Sequence, residues 1–266
     1  MFYEEPRYLT AGDRYISIEI ANAMNIETSF KCVAMKRAIE TAEIEGIVEV
    51  IITYRAVMVY FDNQRIKMAE MMDRLKDLVR GMPDMVELPS RLIELPCRYG
   101  GKWGPDLKFV AEVNKLSGED EAAEWHYSAP HWVGLVGFTP GHPFLMSLNP
   151  PEKMLNAPKY KIPRTYTPVG TLGHGGNITS MYTVPSPGGY QKIALCPAPL
   201  YDPYQRLEEF SESPILLRVG DRIKFRPIDD DELDDIRQAV FEGLYTYKIE
   251  EGIFQLKAYL SSIGKA

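Results

Sequence analysis

One stretch of the chain, PRTYTPVGTLGHGGNITSMYTVPSPGGYQ (163–191), gathers several chemically versatile side chains among glycines and prolines that force tight turns. Arg164 suits two-pronged recognition of a carboxylate or carboxyl-like group. Asn177 and Gln191 can each donate to and accept from an amide or ureido group. Tyr182 or His174 could move a proton at nitrogen. A second loop of the same character, GFTPGHPF (137–144), carries His142 where the backbone can approach a bound molecule closely. These residues divide into candidate catalytic groups, His174, Tyr182 and His142, and candidate substrate-binding groups, Arg164, Asn177 and Gln191. The same residues also admit an architectural reading: SPGG is a hairpin turn signal, and Arg164 can tie down a loop.

Several chemistries are unsupported. The four histidines, His126, His131, His142 and His174, share one window but show neither HExxH nor Cys/His ligand spacing, so no metal is expected. There is no GxSxG elbow, no P-loop and no GxGxxG after a strand, so any ATP must be bound by another chain. Cys32, Cys97 and Cys196 are odd in number and widely spaced, which argues against a zinc ribbon or a disulfide framework. The net charge of -7 argues against nucleic acid. MFYEEPRYLTAGDRY lacks a signal-peptide layout, and no apolar run nears the roughly 20 residues of a membrane span. The expected setting is cytoplasmic.

Positioning these groups requires two kinds of scaffold. From 12 to 97 the pattern is strand (13–20), helix (28–42, capped by Thr28 or Ser29), strands (47–53 and 57–61), helix (64–80) and strand (92–97). That order predicts a ferredoxin-like, split βαβ domain over 1–98. Short helices follow at 106–116 and 119–126. Many short apolar runs punctuated by Gly and Pro then predict a closed or sandwiched β domain over 99–228. An acidic helix start, DDDELDD, opens a helical and strand extension over 229–266. The fold class is α+β.

Longer motifs carry a resemblance. LPCRYGGKWGPDL (95–107), SAPHWVGLVGFTPGHPFL (128–145), PRTYTPVGTLGHGG (163–176), SPGGYQ (186–191), LYDP (200–203) and VGDRIKFRPI (219–228) resemble the allophanate hydrolase subunit 1 family. That family includes the KipI-type kinase inhibitor and the B subunit of 5-oxoprolinase, and its sequence recurs in the amino-terminal half of the urea carboxylase carboxyltransferase domain. YRAVMVYFD (54–62) extends the likeness into the first domain. The resemblance implies a small α/β domain followed by a cyclophilin-like β barrel, pairing with a homologous second subunit. It implies a heteromeric, biotin-dependent carboxyltransferase, with biotin on a carrier protein, a biotin carboxylase partner, and ATP used by a partner subunit. The acceptor would be a small amide, lactam or ketone. Lactam hydrolysis in the manner of 5-oxoprolinase and KipI-type kinase inhibition are the alternatives. GGNITSMY (175–182) departs from the GGQTGIY-like run of the oxoprolinase and KipI-like branch. KYKIPRTYTP (159–168) and IEEGIFQLKAYL (249–260) look closer to urea carboxylase, whereas RYGGKWGPDL and GFTPGHPFL look like the free-standing branch.

Overall fold

The computed structural model describes residues 1–83 and 85–265 and separates into two compact units. The first comprises 1–88 with 254–257, and the second 89–253 with 258–266.

In the first unit, β1 (Phe2–Ala11), β2 (Tyr15–Ala21), β3 (Ile47–Ile52) and β4 (Ala56–Phe61) form an antiparallel sheet in the order β1-β2-β4-β3. Alternation drives it: Ile16, Ile18 and Ile20 of β2 and Val57, Val59 and Phe61 of β4 are buried, while the residues between them are less so. Helices α1 (Ile26–Thr41) and α2 (Met68–Arg80) complete the unit. Helix α1 begins earlier than the sequence pattern predicts. Asn25 is the cap, its side chain accepting from Thr28 N at 2.8 Å while Asn25 N donates back to Thr28 Oγ1 at 3.2 Å. Thr28 is therefore the reciprocal partner and not the cap.

The expected βαββαβ order is not what forms. The strand predicted at 92–97 belongs to the second unit as β6 (Leu92–Tyr99), and β1 occupies the sheet position beside β2. Gly12, at φ 66°, turns β1 directly back along β2, while β6 goes to the second unit, where Ile93, Leu95 and Cys97 join the core. The short strands β5 (Glu87–Pro89) and β16 (Ile253–Gln255) pair as a ribbon.

The second unit is a closed barrel. After β6 come α3 (Leu107–Val113), α4 (Glu119–Tyr127), β7 (His131–Val136), β8 (Pro143–Ser147), β9 (Arg164–Thr167), β10 (Thr171–Gly175), β11 (Ile178–Met181), β12 (Ser186–Gly188), β13 (Gln191–Leu195) and β14 (Arg222–Pro227). The ring runs β13-β10-β11-β8-β7-β14-β6, and β6 pairs back onto β13 through Tyr99↔Ala194 and Arg98↔Leu195. Seven strands thus close without a free edge, leaving the β9–β12 ribbon outside the ring. Side chains such as Leu95, Val133, Leu145, Leu172, Ile193 and Phe225 fill the interior, so the barrel is a packed core and not a pore. The tail as far as 253 belongs to this unit too: α5 (Asp230–Glu242) is capped by Asp229 at one end and left-handed Gly243 at the other, and β15 (Ile249–Glu250) adds to β6. Among the described residues no helix is long and apolar enough to cross a membrane.

The parallel β6–β14 pair is locked at its start by a shielded ion pair. Arg91 binds Asp221 through Nε–Oδ1 at 3.1 Å and Nη2–Oδ2 at 2.5 Å, and Nη2 also reaches the Leu216 carbonyl at 2.7 Å. Asp221 further accepts from Arg218 N at 2.8 Å. Removing one partner strands the other charge in a poorly solvated site, so Asp221→Ala should destabilise the chain by about 3 kcal/mol. Urea unfolding should show the loss, with R91A/D221A costing clearly less than the two single changes summed.

Candidate functional site

The period of two in the barrel strands builds a pocket on the outer side of the same sheet whose inner side makes the core. On β8 and β11, Leu145 and Met181 enter the core, while Phe144 and Ser180, paired in register, face outward. Tyr182, one residue past β11, and His142, two before Phe144, join that outer face. The result is a cavity of about 340 Å³ whose lining includes Phe138, His142, Phe144, Tyr160, Tyr182 and Tyr190.

The glycines of this region make room for rings. A Cβ on Gly173 or Gly175 would come within 2.8 and 2.7 Å of Tyr190, and one on Gly188 within 1.9 Å of Tyr182 Oη. His142 packs its imidazole against Tyr182 at 5.2 Å, Phe144 at 5.0 Å and Phe138 at 5.5 Å between centroids. Phe138 is 71% exposed and holds φ at 72°, a left-handed conformation that costs a residue with a side chain about 1 kcal/mol.

Burial sets the protonation states here. It pushes the His142 pKa down to about 4, so the ring is neutral at pH 7, and its buried Nδ1 has no hydrogen-bond partner among the described residues. Burial raises the pKa of the Tyr182 phenol, opposed by the nearby Arg164 guanidinium, the Thr167 hydroxyl and the Tyr190 backbone. At neutral pH the pocket therefore offers a phenolic proton donor and an imidazole able to accept.

Of the six residues singled out in the sequence, the structure brings only two into this cavity, His142 and Tyr182. Arg164 stands behind it, its guanidinium 4.8 Å from the Tyr160 ring centroid. Gln191 is buried and donates from Nε2 to the Pro158 carbonyl at 2.7 Å, which braces the 158–163 wall of the pocket. Asn177 lines a separate interior void of about 10 Å³.

His174 requires a correction. Its side chain shares the inner face with Thr179, its cross-strand partner, and both ring nitrogens are engaged. The Leu155 carbonyl can only accept, so His174 Nε2 donates to it at 3.1 Å, leaving Nδ1 to accept from Thr179 Oγ1 at 3.1 Å. Thr179 has then used its proton and accepts from His126 Nε2 at 2.9 Å, and His126 Nδ1 accepts from the Tyr99 phenol at 2.8 Å. His131 packs against His126 with ring centroids 4.6 Å apart and the planes tilted by 37°. His174 is a structural member of this chain of bonds, kept from the pocket by strand alternation. Among the described residues no group of three or more His, Cys, Asp or Glu is placed to hold a metal ion.

Tyr160 and Tyr190, prominent in the pocket, escape a reading based on polar chemistry, because their contribution is ring area. Phe144 is within reach of the sequence pattern, since it lies two residues from His142 in a strand. Thr167 and Ser186, discussed below, carry no sequence signal beyond lying in the same motif.

Comparison with known proteins places this geometry. The family described as "Carboxyltransferase domain, subdomain C and D" matches residues 6–211. The chain belongs to that family. It is 34% identical over 217 residues to the B subunit of 5-oxoprolinase from Escherichia coli O157:H7, covering 80% of this chain and 94% of that one. It is 30% identical over 282 residues to urea amidolyase of Lachancea kluyveri, covering 97% of this chain but only 15% of that longer protein. The crystal structure of K. lactis urea amidolyase superposes with a TM-score of 0.86 at 26% identity, covering 98% of this chain and 17% of the other. The motif resemblance to the 5-oxoprolinase component and to urea carboxylase therefore holds, and this carboxyltransferase-family chain presents its pocket on the barrel that those motifs build.

Two outcomes test the geometry. The interior histidines are neutral in the fold, with burial lowering His131 to about 3, His174 to about 4 and His126 well below its usual range. Unfolded histidines take up protons below about pH 6.5, so stability is fully present above that pH and falls as pH drops from about 6.5 toward about 4. Urea midpoints measured between pH 7.5 and 5 should decline across this window, and a flat profile would contradict the network. Separately, Gly188→Ala should displace the Tyr182 ring and destabilise by about 1–3 kcal/mol. Pairing G188A with Y182F should recover part of the loss in a thermal melt, since the closest clash is with the phenol oxygen.

Proposed function

We propose that this chain is one component of a heteromeric, biotin-dependent carboxyltransferase of the urea carboxylase type, acting on a small amide, lactam or ketone. The observation that carries this reading is coverage. The likeness to urea amidolyase runs along 97% of the chain, and the structural match along 98%, whereas the matches to the 5-oxoprolinase component cover 80%. The partners would be a homologous second subunit, a biotin carrier and a biotin carboxylase that consumes ATP, with this chain inactive alone. Its expected setting is the cytoplasm.

The pocket suits a compact ureido ring in size and chemistry. Its volume falls at the lower end of small-molecule sites, and its lining is mostly aromatic with a few convergent polar groups. Bound carboxybiotin supplies an activated carboxyl group. The chain supplies the rest: Phe144, Tyr160 and Tyr190 exclude water and hold the ring by its faces. The Tyr182 O–H donates to the carbonyl oxygen on which negative charge develops. Neutral His142, a lining residue, takes the proton that the acceptor nitrogen or carbon must lose. Gln191 acts at one remove by fixing the Pro158 wall.

A second reading has a specific observation in its favour. The match to the E. coli 5-oxoprolinase component spans 94% of that free-standing chain, so a lactam-opening complex is the alternative. Purifying the chain with its natural partners separates the two. Carboxyl transfer that is blocked by avidin supports the carboxyltransferase reading. Full turnover in a complex containing no biotinylated protein sinks it, and ATP-dependent glutamate release from 5-oxoproline installs the alternative. In the first case Tyr182→Phe and His142→Asn should each lower kcat by about 10²-fold or more with the fold intact.

A further inference from the structure

Behind Tyr160 and Tyr182 lies a set of polar groups that the pocket chemistry leaves unused. Nε, Nη1 and Nη2 of Arg164 are all withdrawn from solvent, and none has a hydrogen-bond partner among the described residues. The Thr167 hydroxyl and the Ser186 hydroxyl are buried and equally unpartnered, with Thr167 0% exposed. These are not scattered atoms. Arg164 and Thr167 are the two ends of β9, Ser186 pairs with Thr167 across the β9–β12 ribbon, and Gly188 pairs with Arg164. Gly188, the cross-strand partner of Arg164, abuts the Tyr182 phenol, and the guanidinium and the Thr167 hydroxyl both lie near that phenol without forming a hydrogen bond to it, which sets the group beside the Tyr182 end of the cavity.

Among the described residues no carboxylate forms an ion pair with Arg164. The Arg164 cation rests on the Tyr160 ring, and Asp106, the carboxylate near Tyr160, accepts from Lys192 N at 2.7 Å instead of pairing with the guanidinium. A guanidinium shielded from water without an anion is unfavourable, and its planar fork is matched by a planar oxyanion. Two hydroxyls beside it can each donate one further hydrogen bond.

We propose that Arg164, Thr167 and Ser186 form a subsite for a small planar oxyanion, a carboxylate or bicarbonate, opening onto the pocket at Tyr182. The subsite rests on the carboxyltransferase reading only for what the anion is: the carboxyl group in transit, or a carboxylate carried by the acceptor. Anion binding itself requires no turnover. Glycine at 188 is then doubly constrained, because it leaves space for the Tyr182 phenol at the junction of pocket and subsite.

The test is thermal unfolding of the intact chain in sodium bicarbonate, acetate, phosphate and chloride at matched ionic strength and pH. A saturable rise in Tm of about 2–5 °C over chloride is expected with a planar anion. It should vanish in Arg164→Gln and shrink in Thr167→Val and Ser186→Ala. A rise with bicarbonate alone identifies the carboxyl in transit, and a rise with acetate as well identifies an acceptor carboxylate; both support the subsite. It is overturned if no anion exceeds chloride, if phosphate alone does, or if the rise survives undiminished in R164Q. Should R164Q fail to fold, T167V/S186A decides the same question by the same readout. Saturable binding without any carboxyl transfer leaves the subsite standing and removes the carboxyltransferase reading, whereas avidin-sensitive transfer without anion binding does the reverse.

Discussion

Everything at the candidate site depends on strand register in the β8-β11-β10-β13 part of the barrel. Side chains alternate between an interior that must be filled and an outer face that carries the pocket. In Gly173-His174-Gly175 the alternation is at its most demanding, since the imidazole must go in and hydrogens alone must go out beneath Tyr190. A one-residue slip would drive His174 into the tyrosine and leave the Thr179 hydroxyl without its partner inside. Ring closure between β6 and β13 opposes such a slip, because β13 is held on both edges.

Burial is used in two electrostatic ways within this one unit. Inside the barrel it keeps the histidines neutral, so that a polar chain can cross an apolar core without carrying charge. Behind the pocket it does the reverse and shields a permanent cation, which cannot discharge by losing its proton. The string from Tyr99 to the Leu155 carbonyl is self-sufficient, each donor having one acceptor, while the neighbouring His131 leaves its Nδ1 unpaired. The second arrangement is incomplete among the described residues, and in the proposed subsite a bound anion would complete it.

The elements of the first unit are legible from alternation and helical spacing, as Ile16, Ile18 and Ile20 or Leu75 show, although helical spacing favours Met72 where the structure buries Met71. Assignment of a strand to its sheet is not. Ile93, Leu95 and Cys97 have the same pattern in either unit, and nothing local states which core they will enter. The β character of the second unit is equally legible from its turn residues, but its closure is not, since β6 and β13 lie far apart in sequence. At the site, glycine-flanked His142 and His174 look alike in sequence and end on opposite faces. Position within the strand decides between them: His142 stands just ahead of β8, on the side of Phe144, whereas His174 sits mid-strand in β10 opposite Thr179. Polar chemistry draws attention to tyrosine hydroxyls, yet the structure uses Tyr160 and Tyr190 chiefly as walls.

The string of bonds from Tyr99 through His126, Thr179 and His174 to Leu155 has a direction, because only its last acceptor is incapable of donating. One fixed carbonyl thereby dictates the tautomer of two imidazoles and the rotor of one alcohol several side chains away. Evolution cannot edit such a string link by link: an isosteric valine at 179 would orphan two rings at once, whereas exchanging all its members together for hydrocarbon of equal bulk would leave no debt of polarity behind.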